Sequence, residues 1–127
     1  LKDYDKMNTV MVSHIFNSEF DPDYPASLSE KTIKGILKEE IGFKGVIVSD
    51  DFDMGAIKKN YSLRETLIRA INSGIDIMIF SNNIDNFDKN ISKKIHKIVK
   101  QEIKKGNIKE EDIDNSYRKV MALKAQL

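Results

Sequence analysis

The 127-residue chain has no cysteine, which excludes disulfides and thiolate metal sites and leaves the redox compartment open. It has only two prolines, both in Asp21-Pro22-Asp23-Tyr24-Pro25, a stretch that reads as a loop. No apolar run approaches the roughly 20 residues needed to cross a bilayer, so no membrane span is expected. Neither sign of charge dominates: 21 Lys and Arg stand against 20 Asp and Glu, and a net +1 gives no overall field for nucleic acid or an anionic surface. The Lys-rich stretch from Lys93 to Lys105 is spaced like the wet side of a helix. No signal-peptide pattern is visible; the chain opens in mid-pattern at Leu1 without an initiator Met, which leaves open what precedes it. With 40% hydrophobic residues, the composition suits one domain with a real core.

Three short apolar runs organise the chain: Thr9-Val10-Met11-Val12-Ser13, Val46-Ile47-Val48-Ser49 and Ile77-Met78-Ile79-Phe80. The second shows no polar alternation, the pattern of a strand covered on both faces in a parallel sheet. Each run ends in polar residues: Ser13-His14, Ser49-Asp50-Asp51 and Ser81-Asn82-Asn83. Between the first two runs, Ile33, Ile36, Leu37 and Ile41 fall on one helical face, with a start at Ser29, or at Ser27 with Glu30 as a capping box, and a stop at Gly42. Between the second and third, Ser62 and Glu65 form a second capping box, Leu63, Leu67, Ala70 and Ile71 make the stripe, and Gly74 ends it. Two more helices close the chain. One runs from about Asn86 to Lys105 with Ile91, Ile95, Ile98 and Val99 inward; the other starts near Lys109 with Ile113, Tyr117, Val120 and Met121 inward.

The strand-helix-strand-helix-strand order predicts an α/β fold with right-handed crossovers that lay the strands side by side. Their three polar tips then share one edge, where α/β sheets place their chemistry. Three strands leave two open edges and uncovered helix faces, so the chain reads as a single incomplete domain spanning residues 1–127. A piece of a (β/α)8 TIM barrel fits, because a whole barrel takes roughly 250 residues. The open edges give self-association a route.

On residues alone, Asp50 is either a working carboxylate or one that caps the following turn. Asp51 and Asp53 orient the loop or cap a helix beginning near Gly55. A calcium loop starting at Asp51 is excluded, since Ala56 stands where glycine is needed and Ser62 where a bidentate Glu is needed. His14 lines a pocket or is hydrogen-bonded structure; Met54 contacts a ligand or fills core. His96, in the Lys-rich helix, is expected on the surface, and Asn82 and Asn83 are weaker candidates at the third tip. No metal or other cofactor is called for.

Val10-Met11-Val12-Ser13-His14-Ile15, Tyr24-Pro25-Ala26-Ser27-Leu28-Ser29, the run from Leu37 through Gly42-Phe43-Lys44-Gly45-Val46-Ile47-Val48-Ser49-Asp50-Asp51-Phe52-Asp53-Met54 to Ile57, then Ala70-Ile71-Asn72-Ser73-Gly74-Ile75-Asp76 and Ile113 to Lys124 together resemble the family-3 glycoside hydrolases, in the branch acting on β-linked N-acetylglucosamine. The resemblance implies the C-terminal portion of the family's barrel, a carbohydrate substrate, Asp50 as the nucleophile of a retaining mechanism, and Met54 and His14 as candidates to meet the sugar. The family's acid/base pair lies in a Lys-His-Phe-Pro-Gly-His-Gly-Asp-type loop that these residues lack. These 127 residues by themselves are therefore expected not to hydrolyse glycosides. Two alternatives carry different marks. A phosphoacceptor receiver domain needs its acid pair after the first strand, where His14 stands, and a non-catalytic half-barrel assembly would show paired strand edges.

Overall fold

The structure, a computed structural model, describes residues 7–83 and 87–126. Three strands, β1 (Thr9–Val12), β2 (Val46–Asp51) and β3 (Ile77–Ile79), form one parallel sheet in the order β1-β2-β3. Thr9 pairs with Val46 and Val12 with Ser49, so β1 and β2 start level and β2 runs on to Asp51 past the end of β1. Between β2 and β3 the register slips from Val48↔Ile77 to Asp51↔Ile79. The extra residue on β2 is a bulge at Ser49-Asp50, the kind of irregularity that re-aims side chains at a strand end.

The helices are a π helix (Lys31–Glu40), a short α1 (Gly55–Lys58), α2 (Leu63–Ser73), α3 (Ile91–Lys105) and α4 (Glu110–Lys124). The expected start of α3 near Asn86 lies outside the described residues. Ser29, not Ser27, starts the π helix: its Oγ accepts the Thr32 N–H at 3.0 Å. Glu30 forms no capping box there, because Ser27 is engaged elsewhere. Ser62 caps α2 by accepting the Glu65 N–H at 3.1 Å, but only half of that box forms, since the Glu65 carboxylate turns to Arg69 Nε at 3.1 Å. Gly42 and Gly74 take the left-handed conformation expected of helix stops, and Gly106 ends α3 in the same way.

Leu28, Ile33, Phe43, Ile47, Phe52, Ile57, Ala70 and Ile75 make one buried cluster, with Val10, Val12 and Met78 packed on it from the strands. One face of the sheet is thus sealed by helices. The other face carries Thr9 and Met11, and Met11 is 58% exposed. Val48, paired with Met11, shares that open face.

Two helices differ from their expected stripes. Ile41 is exposed although Ile33 is fully buried. The Ile41 N–H reaches back five residues to the Ile36 carbonyl at 2.9 Å, and such wide turns rotate a stripe drawn at the α-helical period. On α4, Tyr117 and Met121 are 64% and 43% exposed instead of inward, while Ile113 and Val120 are half-buried. Polar bonds set this rotation. Ser116 Oγ donates to Asp76 Oδ1 at 2.7 Å and Lys119 Nζ pairs with Asp76 Oδ2, so the 116/119 side of the helix faces the sheet. Asp76 also accepts the Ile47 N–H at 2.8 Å, tying α4 to the central strand.

Candidate active site

β2 runs two residues past its apolar stretch, and both added residues are acids. Asp50 is half-buried at the tip. Its Oδ1 accepts the N–H of Asp51 at 2.8 Å, and among the described residues its side chain makes no other hydrogen bond or ion pair. A carboxylate held by one oxygen with the other unengaged is aimed yet still able to react.

Asp51 is spent on structure. Its Oδ1 accepts the N–H of Asp53 at 3.0 Å and the N–H of Ser81 at 2.9 Å. Burial pushes its pKa up, but the hydrogen bonds from the Ser81 hydroxyl and amide and the Asp53 amide hold it below the ordinary carboxylate range. Asp53 is likewise committed: Oδ2 accepts the Asn82 N–H at 2.6 Å and Oδ1 faces Lys58 Nζ at 3.8 Å. Both acids orient the loop as their spacing suggested, but neither caps α1, whose N-cap residue is Met54.

His14 lies at the tip of β1 with both ring nitrogens engaged. Nδ1 meets Ser27 Oγ at 2.6 Å and Nε2 meets the Asp51 carbonyl at 2.8 Å. A carbonyl only accepts, so Nε2 carries the proton and Nδ1 accepts from the Ser27 hydroxyl. The imidazole also stacks on Phe52, with centroids 5.2 Å apart. Asn82, at the tip of β3, takes φ of 54° and closes the following loop: its Nδ2 donates to the Asp88 carbonyl and its Oδ1 accepts the Asp88 N–H, both at 3.0 Å. Residue 51 is therefore held from β1 through its carbonyl and from the end of β3 through its carboxylate, which places the three polar tips on one edge. Met54 lies just beyond, 41% exposed. Asn83 and His96 are exposed.

A profile described as Glycosyl hydrolase family 3 N terminal domain matches residues 4–123. The chain belongs to glycoside hydrolase family 3. Its similarity to the β-hexosaminidase of Nitrosomonas eutropha is 32% identity over 82 residues, 65% of this chain and 23% of that protein. Among solved structures it is similar to the β-N-acetylglucosaminidase of Thermotoga maritima (28% identity, TM-score 0.81, covering 93% of this chain and 25% of that one). It is also similar to the family-3 β-N-acetylglucosaminidase of a Paenibacillus strain (31% identity, TM-score 0.82, 94% and 22%). This family-3 chain spans about a quarter of the length of the relatives it matches. Its three parallel strands and helices match part of the barrel-like domain of these structures.

In this family-3 chain the sequence pointed to the Asp50, Asp51 and His14 tips, but not to Ser27, Ser49 or Asp76 as working parts. Ser49 is fully buried, and its Oγ accepts the Ile79 N–H at 3.0 Å across the bulge. Only the strand register assigns it that bond. A cleft of about 510 Å3 lies away from Asp50, between the π helix and α2, lined by Asp21, Tyr24, Lys31, Glu65 and Arg69. Its side chains are already paired: the Arg69 guanidinium lies 3.5 Å over the Tyr24 ring and Lys31 faces Asp21 at 3.7 Å. Among the described residues no group of three or more His, Cys, Asp or Glu is placed to hold a metal, and no helix is long and apolar enough to cross a membrane.

Proposed function

We propose that this chain supplies the nucleophile-bearing part of a retaining glycoside hydrolase acting on terminal β-linked N-acetylglucosamine. Asp50 attacks the anomeric carbon while the bond to the leaving oxygen breaks, forming a glycosyl ester that water then hydrolyses. The proton for the leaving oxygen comes from an acid outside these residues. The observation that carries the reading is the contrast at the β2 tip: Asp51 and Asp53 accept backbone amides from the loop and from the end of β3, whereas among the described residues Asp50 accepts only the amide of its neighbour. The match to family 3 and the names of its relatives support the substrate class.

Met54 borders the sugar, its thioether packing against the acetamido group. His14 meets the sugar at most through its ring edge, since both nitrogens are engaged within the fold. The chain is one incomplete barrel segment and is inactive alone. In the protein that carries it, Asp50→Ala lowers turnover by roughly 10³-fold or more while leaving the melting temperature near wild type. A 5-fluoro N-acetylglucosaminyl fluoride trap leaves its ester on the peptide containing Asp50. Normal turnover of Asp50→Ala, or label on another carboxylate, refutes the assignment.

A further inference from the structure

We propose that His14 is a positioning residue for the Asp50 carboxylate, acting through residue 51; this rests on the reading of Asp50 as nucleophile. His14 Nε2–H donates to the Asp51 carbonyl at 2.8 Å, and the Asp51 N–H donates to Asp50 Oδ1 at 2.8 Å. One residue thus links the imidazole to the nucleophile. A shift of the Asp51 backbone moves the donor that holds Oδ1, and the bulge at Ser49-Asp50 leaves the strand ladder less able to resist it.

The imidazole is itself anchored. Ser27 is fully buried in the short turn Ala26–Leu28, and its hydroxyl fills Nδ1, which keeps the proton on Nε2 where the carbonyl needs it. The Ala26 N–H donates to the Ile15 carbonyl at 2.9 Å, fixing this turn to the residue after His14. Stacking on Phe52 sets the ring plane. Asp51 is meanwhile pinned from the β3 end by Ser81, so the clamp closes from both neighbouring strand tips.

The test uses His14→Gln, His14→Asn and Ser27→Ala in the protein that carries this chain, measured on an aryl N-acetylglucosaminide. The Gln amide nitrogen can occupy the place of Nε2 and donate to the Asp51 carbonyl; the shorter Asn amide cannot. Misplacing the reacting group by about 1 Å costs roughly 100-fold, so His14→Asn is expected to lower kcat by about that factor with KM within about threefold. His14→Gln is expected to recover kcat to within about tenfold of wild type. If His14→Asn does not fold, Ser27→Ala gives the reading, with kcat lowered and KM kept. A His14→Asn or Ser27→Ala variant that keeps wild-type kcat overturns the proposal. So does a rise in KM at constant kcat, which makes His14 a sugar ligand, or a His14→Gln as poor as His14→Asn. Asp50→Ala, assayed in parallel, separates the cases: if it retains turnover, the nucleophile reading fails first.

Discussion

Asp50, Asp51 and Asp53 are chemically alike and differ only in what their oxygens meet. Two amides face Asp51 Oδ1, so Asp51→Ala leaves the Asp53 and Ser81 N–H groups without their acceptor. A loss of roughly 1–3 kcal/mol is expected from denaturant unfolding. Gly45 is constrained differently. A Cβ there would lie 2.6 Å from the backbone oxygen of Asn8 and 2.6 Å from Phe43 Cζ, and Asn8 accepts the Val46 N–H that starts the β1/β2 pairing. Backbone cannot yield as a side-chain tip can, so Gly45→Ala is expected to cost about 1–3 kcal/mol, read as a lower urea midpoint at unchanged slope.

Elements are held in place here by buried charge as much as by apolar stripes. On α3, Ile91, Ile95, Ile98 and Val99 are half-buried as expected, yet the residue most fully enclosed is Glu102, 1% exposed. Its carboxylate takes Asn107 Nδ2 at 2.7 Å, Lys105 Nζ at 3.0 Å and the Arg64 guanidinium of α2. Those bonds, led by Asn107 and Lys105, outweigh desolvation and draw its pKa from 4.5 down to about 2. A depressed carboxylate stabilises the fold above its unfolded value and loses that contribution as pH falls through its folded one. Acid unfolding is therefore expected to steepen between pH 4.5 and about 2, and Glu102→Gln to flatten that limb in urea midpoints measured against pH. Asp76 plays the same part for α4. Asp76→Ala removes the acceptor of Ile47, Ser116 and Lys119, and α4 amides are expected to lose hydrogen-exchange protection before those of β2.

At the scale of the molecule, a sheet sealed on one face and carrying an exposed Met11 on the other is the geometry of an arc cut from a closed barrel. β1 and β3 each have one unpaired edge among the described residues, and such edges template further pairing. The isolated 127 residues are therefore expected to elute as dimers or larger species on sizing and to show no turnover of an aryl N-acetylglucosaminide; a monomer, or measurable hydrolysis, contradicts this. A receiver domain fits poorly at this scale too. The first strand tip carries His14, and residue 51 joins all three tips through its backbone and a carboxylate oxygen that structure has consumed.

Periodicity along the chain was enough to locate the three strands, α2 and its Gly74 stop, and the acid at the tip of β2, because burial on one face and left-handed helix ends are local demands that side-chain type alone expresses. Three-dimensional contacts decided the rest. Which way Tyr117 and Met121 point follows from Asp76, some 40 positions earlier, and which of Asp50 and Asp51 is tied to amides beyond its neighbour follows from the reach of Ser81 and Asp53. Adjacent acids read alike in one dimension; only the folded chain brings up the amides that tell them apart.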